Sequence, residues 1–411
     1  MRRVGGKFRL FQQVTEFEDA LRMVCESIAP IQRTEELPLA DACGRVLAED
    51  IHAKVDMPPF NRAAMDGYAV VATSTAGATP SHPKRLRVIG VVYAGDDVKQ
   101  LRISPETCVE IATGAEVPIG ADAVVMAEET QRISADEVLI FAEVEPGCNM
   151  SQRGYDKRAG EQLLSKGDVL TPGRIALLAA AGIDTVRVYA KPRVGIIPTG
   201  SEIVIPGEPL SPGKIYDSNS YMLCALLIQH GCEPARLDIV GDQLEAIKQV
   251  FNDALFADHD MLLITGGSSV GERDYVADLV HGIGELKFHG LNTRPGKPTL
   301  FALINGKPII GMPGHPVSCF VIANALIVPA LHKLAGERDY QPVRVRGELT
   351  RTVEMPRDVH HFVIVHVFDG KVEPVFRYAD AISTLRFADG YITLPVGVEC
   401  IEEGTEVEVT L

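Results

Sequence analysis

The chain has 411 residues, enough for two to four domains and a sizeable buried core. Its 40 Lys and Arg stand against 55 Asp and Glu, a net charge of -15. That balance argues against non-specific nucleic-acid binding, which draws on clustered cations, although local N–H groups, a few basic residues and a metal ion can still hold an anion.

The N-terminus carries Arg2, Arg3 and Lys7 without a following apolar run, so no secretory signal is expected. The eight cysteines contain no Cys-x-x-Cys pair and are expected to be reduced, mostly buried thiols of a cytoplasmic protein. The most apolar stretch, residues 319–331, is shorter than the ~18 residues of a membrane span. No His-Glu-x-x-His occurs. His360, His361 and His366 lie in a strand-like run that suggests a surface or edge strand rather than a zinc site.

Residues 15–28 are predicted to be helical. Thr15 and Glu18 have capping-box spacing, and Phe17, Ala20, Leu21 and Val24 form one face. Residues 37–48 read as a short strand-and-helix piece, and Met57-Pro58-Pro59-Phe60 as a stiff extended segment. From 54 to 156 short β-rich runs take over, at 86–92, 107–112, 123–127 and 137–141, which predicts a separate β domain. Two of its loops set a polar residue beside glycine, at Asp66-Gly67 and Thr113-Gly114. Either is equally an ordinary turn. After a charged stretch containing Asp156, Thr171 is a predicted N-cap and Pro172 opens a helix that stops at Gly182.

From Arg193 strands and helices alternate. Strands are predicted at 194–197, 236–240, 260–264, 285–288, 299–303 and 309–312. Helices run from Ser218 or Asn219 to His230, over 244–256, and from Pro316 to about Leu334 with a kink at Pro329. This alternation predicts a parallel sheet with helices on both faces and ligands at the strands' carboxyl ends. The loops at Thr199, Asp242, Gly266, Pro295 and Pro313 lie at such ends. The central one, Thr265-Gly-Gly-Ser-Ser-Val-Gly271, joins a strand to a helix. Its glycines permit close backbone approach, and the free N–H groups of the next helix suit a phosphate. It matches neither Walker A nor the dinucleotide fingerprint, and a tight turn without a ligand is the alternative. After Gly336, runs at 343–349, 361–368 and 391–394 predict a small C-terminal β domain.

These loops share a composition. Glu202, Asp242 and Asp274 come from the α/β part, Asp66 and Asp156 from the β part. Carboxylates that share a site with an oxyanion need Mg²⁺ between them or Lys and Arg beside them. Arg294, Lys297 and His315 are the basic candidates. Each carboxylate would also serve as a helix N-terminal charge or a turn former.

Seven motifs occur in order: Met65-Asp-Gly-Tyr-Ala69, Ala112-Thr-Gly-Ala115, Pro198-Thr-Gly-Ser-Glu202, Ile215-Tyr-Asp-Ser-Asn219, Thr265-Gly-Gly-Ser-Ser-Val-Gly271, Arg294-Pro-Gly-Lys-Pro298 and Met312-Pro-Gly-His-Pro-Val-Ser318. Together they resemble the molybdopterin molybdenumtransferase family, the MoeA proteins and the gephyrin E domain, from about Glu16 to the C-terminus.

The resemblance implies an α/β plus β multidomain fold. A MogA-like parallel-sheet domain would cover 14–30 and 190–337, and a linking, dimerising domain 31–53 and 157–189. A β-rich domain would cover 54–156, and a C-terminal β-barrel-like domain 338–411. It implies a cytoplasmic homodimer with a composite cleft, in which adenylylated molybdopterin and molybdate (or tungstate) react with Mg²⁺-dependent release of AMP. An adenylyltransferase would supply the substrate. The implied catalytic residues are Asp66, Thr113, Asp156, Asp242 and Asp274, with Glu202, Asp242 and Asp274 on the metal. Substrate would meet Gly266, Gly267, Ser269, Gly271, Arg294, Lys297, Pro313, His315, Pro316 and Ser318.

Three positions depart from the family pattern. His315 stands where Asn is common, and Ser268 where Val is frequent. No Arg falls in register near His360, so a molybdate-holding role for the last domain is not carried over, although Ser383 and Asp389-Gly390 match. Two other functions are conceivable: an adenylyltransferase, since that step uses a domain of the same α/β type, and a scaffold that has lost catalysis. The β-domain motif favours insertion over the first. The retained carboxylates speak against the second.

Overall fold

The computed structural model describes residues 14–266, 275–280, 282–375 and 381–411. Gly267, Ser268, Ser269, Gly271 and Asp274 lie outside them.

The first helix is Phe17–Ser27, and it buries Phe17, Ala20 and Val24. The capping box does not form. Glu16 is the N-cap residue and no side chain caps the helix. Thr15 bridges to Leu291 instead, and Glu16 accepts from Asn292 Nδ2 at 2.9 Å. A backbone bridge across 276 residues has overridden a local preference.

Thr34–Pro38 pairs antiparallel with Thr185–Tyr189. With the Pro172–Ala180 helix they enclose a small core around Leu47, Leu170 and Leu178. Thr171 caps that helix as predicted, accepting from Arg174 N–H at 3.4 Å.

Between these segments lies a six-stranded mixed sheet in the order Ala123–Met126, Gly67–Val70, Thr107–Ile111, Lys84–Val92, Glu137–Ile140, Thr130–Ser134. Its two faces carry separate apolar clusters, one around Tyr68, Val125 and Ile140, the other around Ala69, Val109 and Val124. This is the strand alternation expected of a sheet covered on both sides.

The α/β sheet has the order Glu233–Arg236, Arg193–Pro198, Met261–Thr265, Lys307–Met312, Leu300–Ile304, Glu285–His289. The expected parallel sheet forms at its centre, and the strands predicted at 299–303 and 309–312 pair with each other. Leu300–Ile304 runs against both neighbours, because Asn305-Gly306 makes a two-residue turn between it and Lys307–Met312. The strand predicted at 236–240 lies earlier, at Glu233–Arg236, and Val240 makes only an isolated bridge to Thr199.

The last helical stretch runs from Pro316 to Leu334, 19 residues with mean hydropathy 1.7, and 72% of it is buried inside the fold. It is longer than the apolar run read from sequence, and its burial marks it as a core helix. The expected kink at Pro329 takes the form of a π-helical turn over Ala323–Ile327, which widens the helix just ahead of the ring that cannot donate.

Five strands close into a barrel at the C-terminus, in the order His360–Phe368, Lys371–Pro374, Arg344–Leu349, Glu406–Thr410, Gly390–Leu394, the last pairing back to the first. Of the three histidines only His366 is half-exposed, and their strand is paired on both sides, not an edge. His360 and His361 are buried, and burial pushes both imidazole pKa values down. His360 packs against Phe17 and Phe362, and His361 Nε2 lies 2.8 Å from Pro356 O. All eight cysteines are unpaired, but only Cys108, Cys232 and Cys319 are fully buried, fewer than expected.

Candidate functional site

Three segments of the β domain meet around Asp66. Ala63 N–H donates to Ala115 O at 2.9 Å, Gly114 N–H to Ala63 O at 2.8 Å and Val117 N–H to Asn61 O at 2.8 Å. The 149–153 segment pairs with the other edge through Met150–Ala63 and Ser151–Arg62. This lacing sets Asp66 against the Thr113 turn. Asp66 Oδ1 accepts from Thr113 N–H at 2.7 Å and from Thr113 Oγ1 at 2.8 Å. The backbone N–H first, then the hydroxyl, hold the Asp66 carboxyl below the usual carboxylate range. Gly67 is obligatory there, since a Cβ would sit 1.9 Å from Val125 O. Asp156 is exposed, its N–H bonded to Met57 O at 3.0 Å. The structure therefore brings Asp66 and Thr113 together, with Asp156 on a flanking segment.

The second group is built from the strand ends of the α/β sheet. Thr199 is buried, and its N–H and Oγ1 both donate to Thr265 O, at 2.8 and 2.9 Å. That locks the Thr199 loop to Gly266, whose φ of +81° carries the chain away from the strand. A Cβ on Gly266 would meet Thr199 O at 2.4 Å. Gly314, in the turn after Pro313, packs on Gly266, and Asn219 Nδ2 donates to Gly314 O at 2.7 Å. Asn219 opens its helix beside Ser218, the N-cap residue. The cap itself is supplied by buried Asp217, which accepts from Ser220 N–H at 3.1 Å.

Glu202 is exposed on the same rim. Asp242 Oδ2 accepts from Ser201 N–H at 3.1 Å while Asp242 N–H donates to Ser201 Oγ at 2.9 Å. This reciprocal pair joins the loops of Glu202 and Asp242. Arg294 and Lys297 are exposed on a turn anchored by Gly296, whose Cβ would strike Ile322 at 2.4 Å, and by Thr299 Oγ1 donating to Gly296 O at 2.6 Å. Ile322 belongs to the helix that begins at Pro316, so the cationic turn and exposed His315 are borne on one frame. His315 makes no side-chain cap bond, Pro313 is buried behind it, and Ser318 is buried in the first turn.

Thr199, Ser201, Asp217 and Asn219 were missed as positioning residues. All four stand inside motifs already singled out, yet their role is to bond another loop, and no sequence spacing encodes that.

Glu202 and Asp242 offer oxygen donors, the type a hard divalent cation takes. Among the described residues no three His, Cys, Asp or Glu side chains gather as a metal-ligating group. The donor type thus fits Mg²⁺, and the donor number supplied by the described part of one chain is short. The two groups stand on different sheets with different apolar clusters.

A glycine-lined rim on an α/β sheet, a carboxylate–hydroxyl pair on a mixed β sheet and a terminal five-stranded barrel define a multidomain protein of α/β and β parts. Three family models match the chain in succession: the MoeA N-terminal region (domain I and II) over residues 15–182, a probable molybdopterin binding domain over 195–333, and the MoeA C-terminal region (domain IV) over 346–411. A molybdopterin molybdenumtransferase of Bacillus subtilis is 35% identical over 96% of this chain and 93% of its own. Molybdopterin molybdenumtransferase 2 of Mycobacterium tuberculosis is 35% identical over 91% and 94%. The crystal structure of a molybdopterin biosynthesis MoeA protein from Pyrococcus horikoshii superposes with a TM-score of 0.86 at 34% identity, covering 97% of this chain and all of that one. The chain belongs to the MoeA family of molybdopterin molybdenumtransferases, enzymes of molybdenum cofactor biosynthesis.

Proposed function

We propose that this protein inserts molybdenum. It passes the metal of molybdate (or tungstate) to adenylylated molybdopterin and releases AMP, in the cytoplasm, at a cleft completed by a second copy of the chain. The four-part division of the chain given above belongs to this reading. The observation that carries it is the split site. Asp66–Thr113 and the Gly266–Gly314 rim stand on different sheets, the first offering a carboxylate and a hydroxyl, the second backbone.

In this reading the α/β rim holds the pterin end. Gly266 and the Pro313–His315 turn offer backbone, while Gly267, Ser269 and Gly271 complete the cradle. Arg294 and Lys297 neutralise molybdate or phosphate, aided by Pro316 and Ser318, which fix the start of the helix behind His315. Glu202, Asp242 and Asp274 would hold Mg²⁺, which when bound stabilises charge on the phosphate. Asp66 from the partner copy, kept ionised by Thr113, orients a water toward the phosphate, with Asp156 beside it. An adenylyltransferase supplies the substrate.

The test supplies purified protein with adenylylated molybdopterin, with and without molybdate and with and without Mg²⁺. AMP release that requires both is expected. Release indifferent to molybdate would sink the insertase reading. Asp274→Ala is expected to abolish cofactor production in a deficient cell, and normal complementation by it would point to a scaffold.

A further inference from the structure

Two helices that carry the α/β rim are tied together at both ends and so run side by side. At the rim, Asn219 Nδ2 of the helix Asn219–Gln229 donates to Gly314 O, just ahead of the helix that begins at Pro316. At the far end the tie is a pair of histidines. His230, the C-cap residue of the first helix, has Nδ1 3.1 Å from Nε2 of His332, in the last turn of the second. His332 Nδ1 lies 2.5 Å from Glu337 Oε2, and the Tyr340 ring stacks on His332 with centroids 3.8 Å apart. Glu337 and Tyr340 belong to the segment that leads into the barrel.

These contacts dictate where the protons sit. Glu337 requires a proton on His332 Nδ1. With both rings neutral, His332 Nε2 is then a lone pair, and His230 Nδ1–H donates to it. One added proton still leaves a single hydrogen between the two nitrogens, and Glu337 and the helix carbonyl ends favour it. A second added proton sets N–H against N–H and leaves the contact without an acceptor. Burial, then the neighbouring His332, holds the His230 pKa below the ordinary histidine range. The parted rings therefore bind more protons than the joined ones, so the tie holds at neutral pH and is lost as pH falls through that lowered pKa.

Protons reach the pair from two hollows, of about 390 and 560 Å³. The first also presents Arg45, Lys191, Asp41 and the Cys43 thiol. The second presents the pairs Arg344–Glu408 and His360–Glu18, and the Cys25 thiol, which faces Lys333. Glu337 is the carboxylate bonded to the pair itself. Tyr340 keeps its proton because burial raises its pKa, and Cys232 Sγ donates to His230 O at 3.6 Å.

We propose that His230 and His332 are positioning residues for the rim, a proton-operated tie whose loss in acid loosens the two helices that bear Asn219 and His315. The inference rests on the reading of the rim as the pterin-binding end.

The experiment measures molybdopterin affinity of the purified full-length protein by calorimetry, from about pH 8 to about pH 5. His230→Gln gives His332 Nε2 an amide that turns to suit either protonation state. The ratio of wild-type to His230→Gln affinity is expected to fall about two- to tenfold across that range, the size of one lost hydrogen bond. Titration of His315 and of the substrate phosphate is common to both proteins and cancels in the ratio. His230→Ala lacks the tie and is expected to bind about two- to tenfold more weakly than His230→Gln at the alkaline end. The ratio stands without His230→Ala should that variant fail to fold. A ratio level with pH, or a folded His230→Ala that binds as tightly as His230→Gln, overturns the tie alone. A wild-type protein that binds no molybdopterin at any pH overturns the reading of the rim beneath it.

Discussion

The two halves of the proposed site present different groups. Around Asp66 a side chain is presented and polarised. One carboxylate oxygen takes two hydrogen bonds from Thr113, and the strands behind exist to hold that pair. On the α/β sheet it is backbone that is presented, at Gly266, Gly314 and the Arg294 turn, while buried side chains such as Thr199 and Asn219 face inward and tie the loops together. Side-chain substitutions should therefore be costly for activity in the first half. In the second half they should be costly for geometry.

The sharpest way to break this contrast is complementation. Asp66→Ala and Asp242→Ala, each alone, are expected to lose roughly 10²-fold or more in AMP release. If the cleft is shared, unfolding and refolding the two together restores one intact site in each mixed dimer, about a quarter of wild-type activity for random pairing. No recovery in the mixture would place both residues in one chain's site.

Gly266→Ala comes next. The substitution puts a methyl 2.4 Å from Thr199 O at a φ of +81°, and we expect a loss of about 2–3 kcal/mol in denaturant unfolding. Gly207→Ala, also at positive φ but with open space around it, should cost only about 1 kcal/mol. Equal losses would show that packing against Thr199 is unimportant.

Asn219→Ala removes the hydrogen bond to Gly314 O and should cost about 1 kcal/mol, together with a raised KM for the pterin substrate. A changed kcat at constant KM would argue for a chemical role instead.

The smallest effect expected is a pH shift. The Asp66 carboxyl is depressed by Thr113, so its charge persists as pH falls below the ordinary carboxylate range and is lost only on passing its own lower pKa. Thr113→Val keeps the backbone donor and removes the hydroxyl. The acid limb of the rate profile should move to higher pH, toward the unperturbed range. An unmoved limb would separate Asp66 from the acid titration.

Much of this was legible before the fold was in hand, and for identifiable reasons. The helices at Leu244–Phe256 and Pro172–Ala180 carry their own period, the second with its own Thr171 cap, and the strand at Met261–Thr265 is a short apolar run between polar ends. The failures have a common cause in contacts distant in sequence. Thr15 surrendered its cap to Leu291, and His360 and His361 were drawn indoors by Phe17 and Pro356. The pairing of Leu300–Ile304 with Lys307–Met312 was legible as well, and Asn305-Gly306 is the hairpin signal between them. At the site, glycine-rich motifs located the rim, whereas the mutual bonding of Ser201 with Asp242 could emerge only once two loops 41 residues apart were set side by side.

The cationic turn has a second attachment, and it limits how the molecule can be divided. Thr293–Arg294 runs parallel to the barrel strand at His360 and His361, and Phe362 and Ile364 of that strand belong to the apolar cluster of the α/β domain. A shortened protein ending near residue 337 would bare an unpaired strand edge at Arg294 and strip apolar cover from Phe17, the combination that favours edge-to-edge aggregation. Anyone wishing to express the α/β domain alone should expect inclusion bodies unless that edge is redesigned with it.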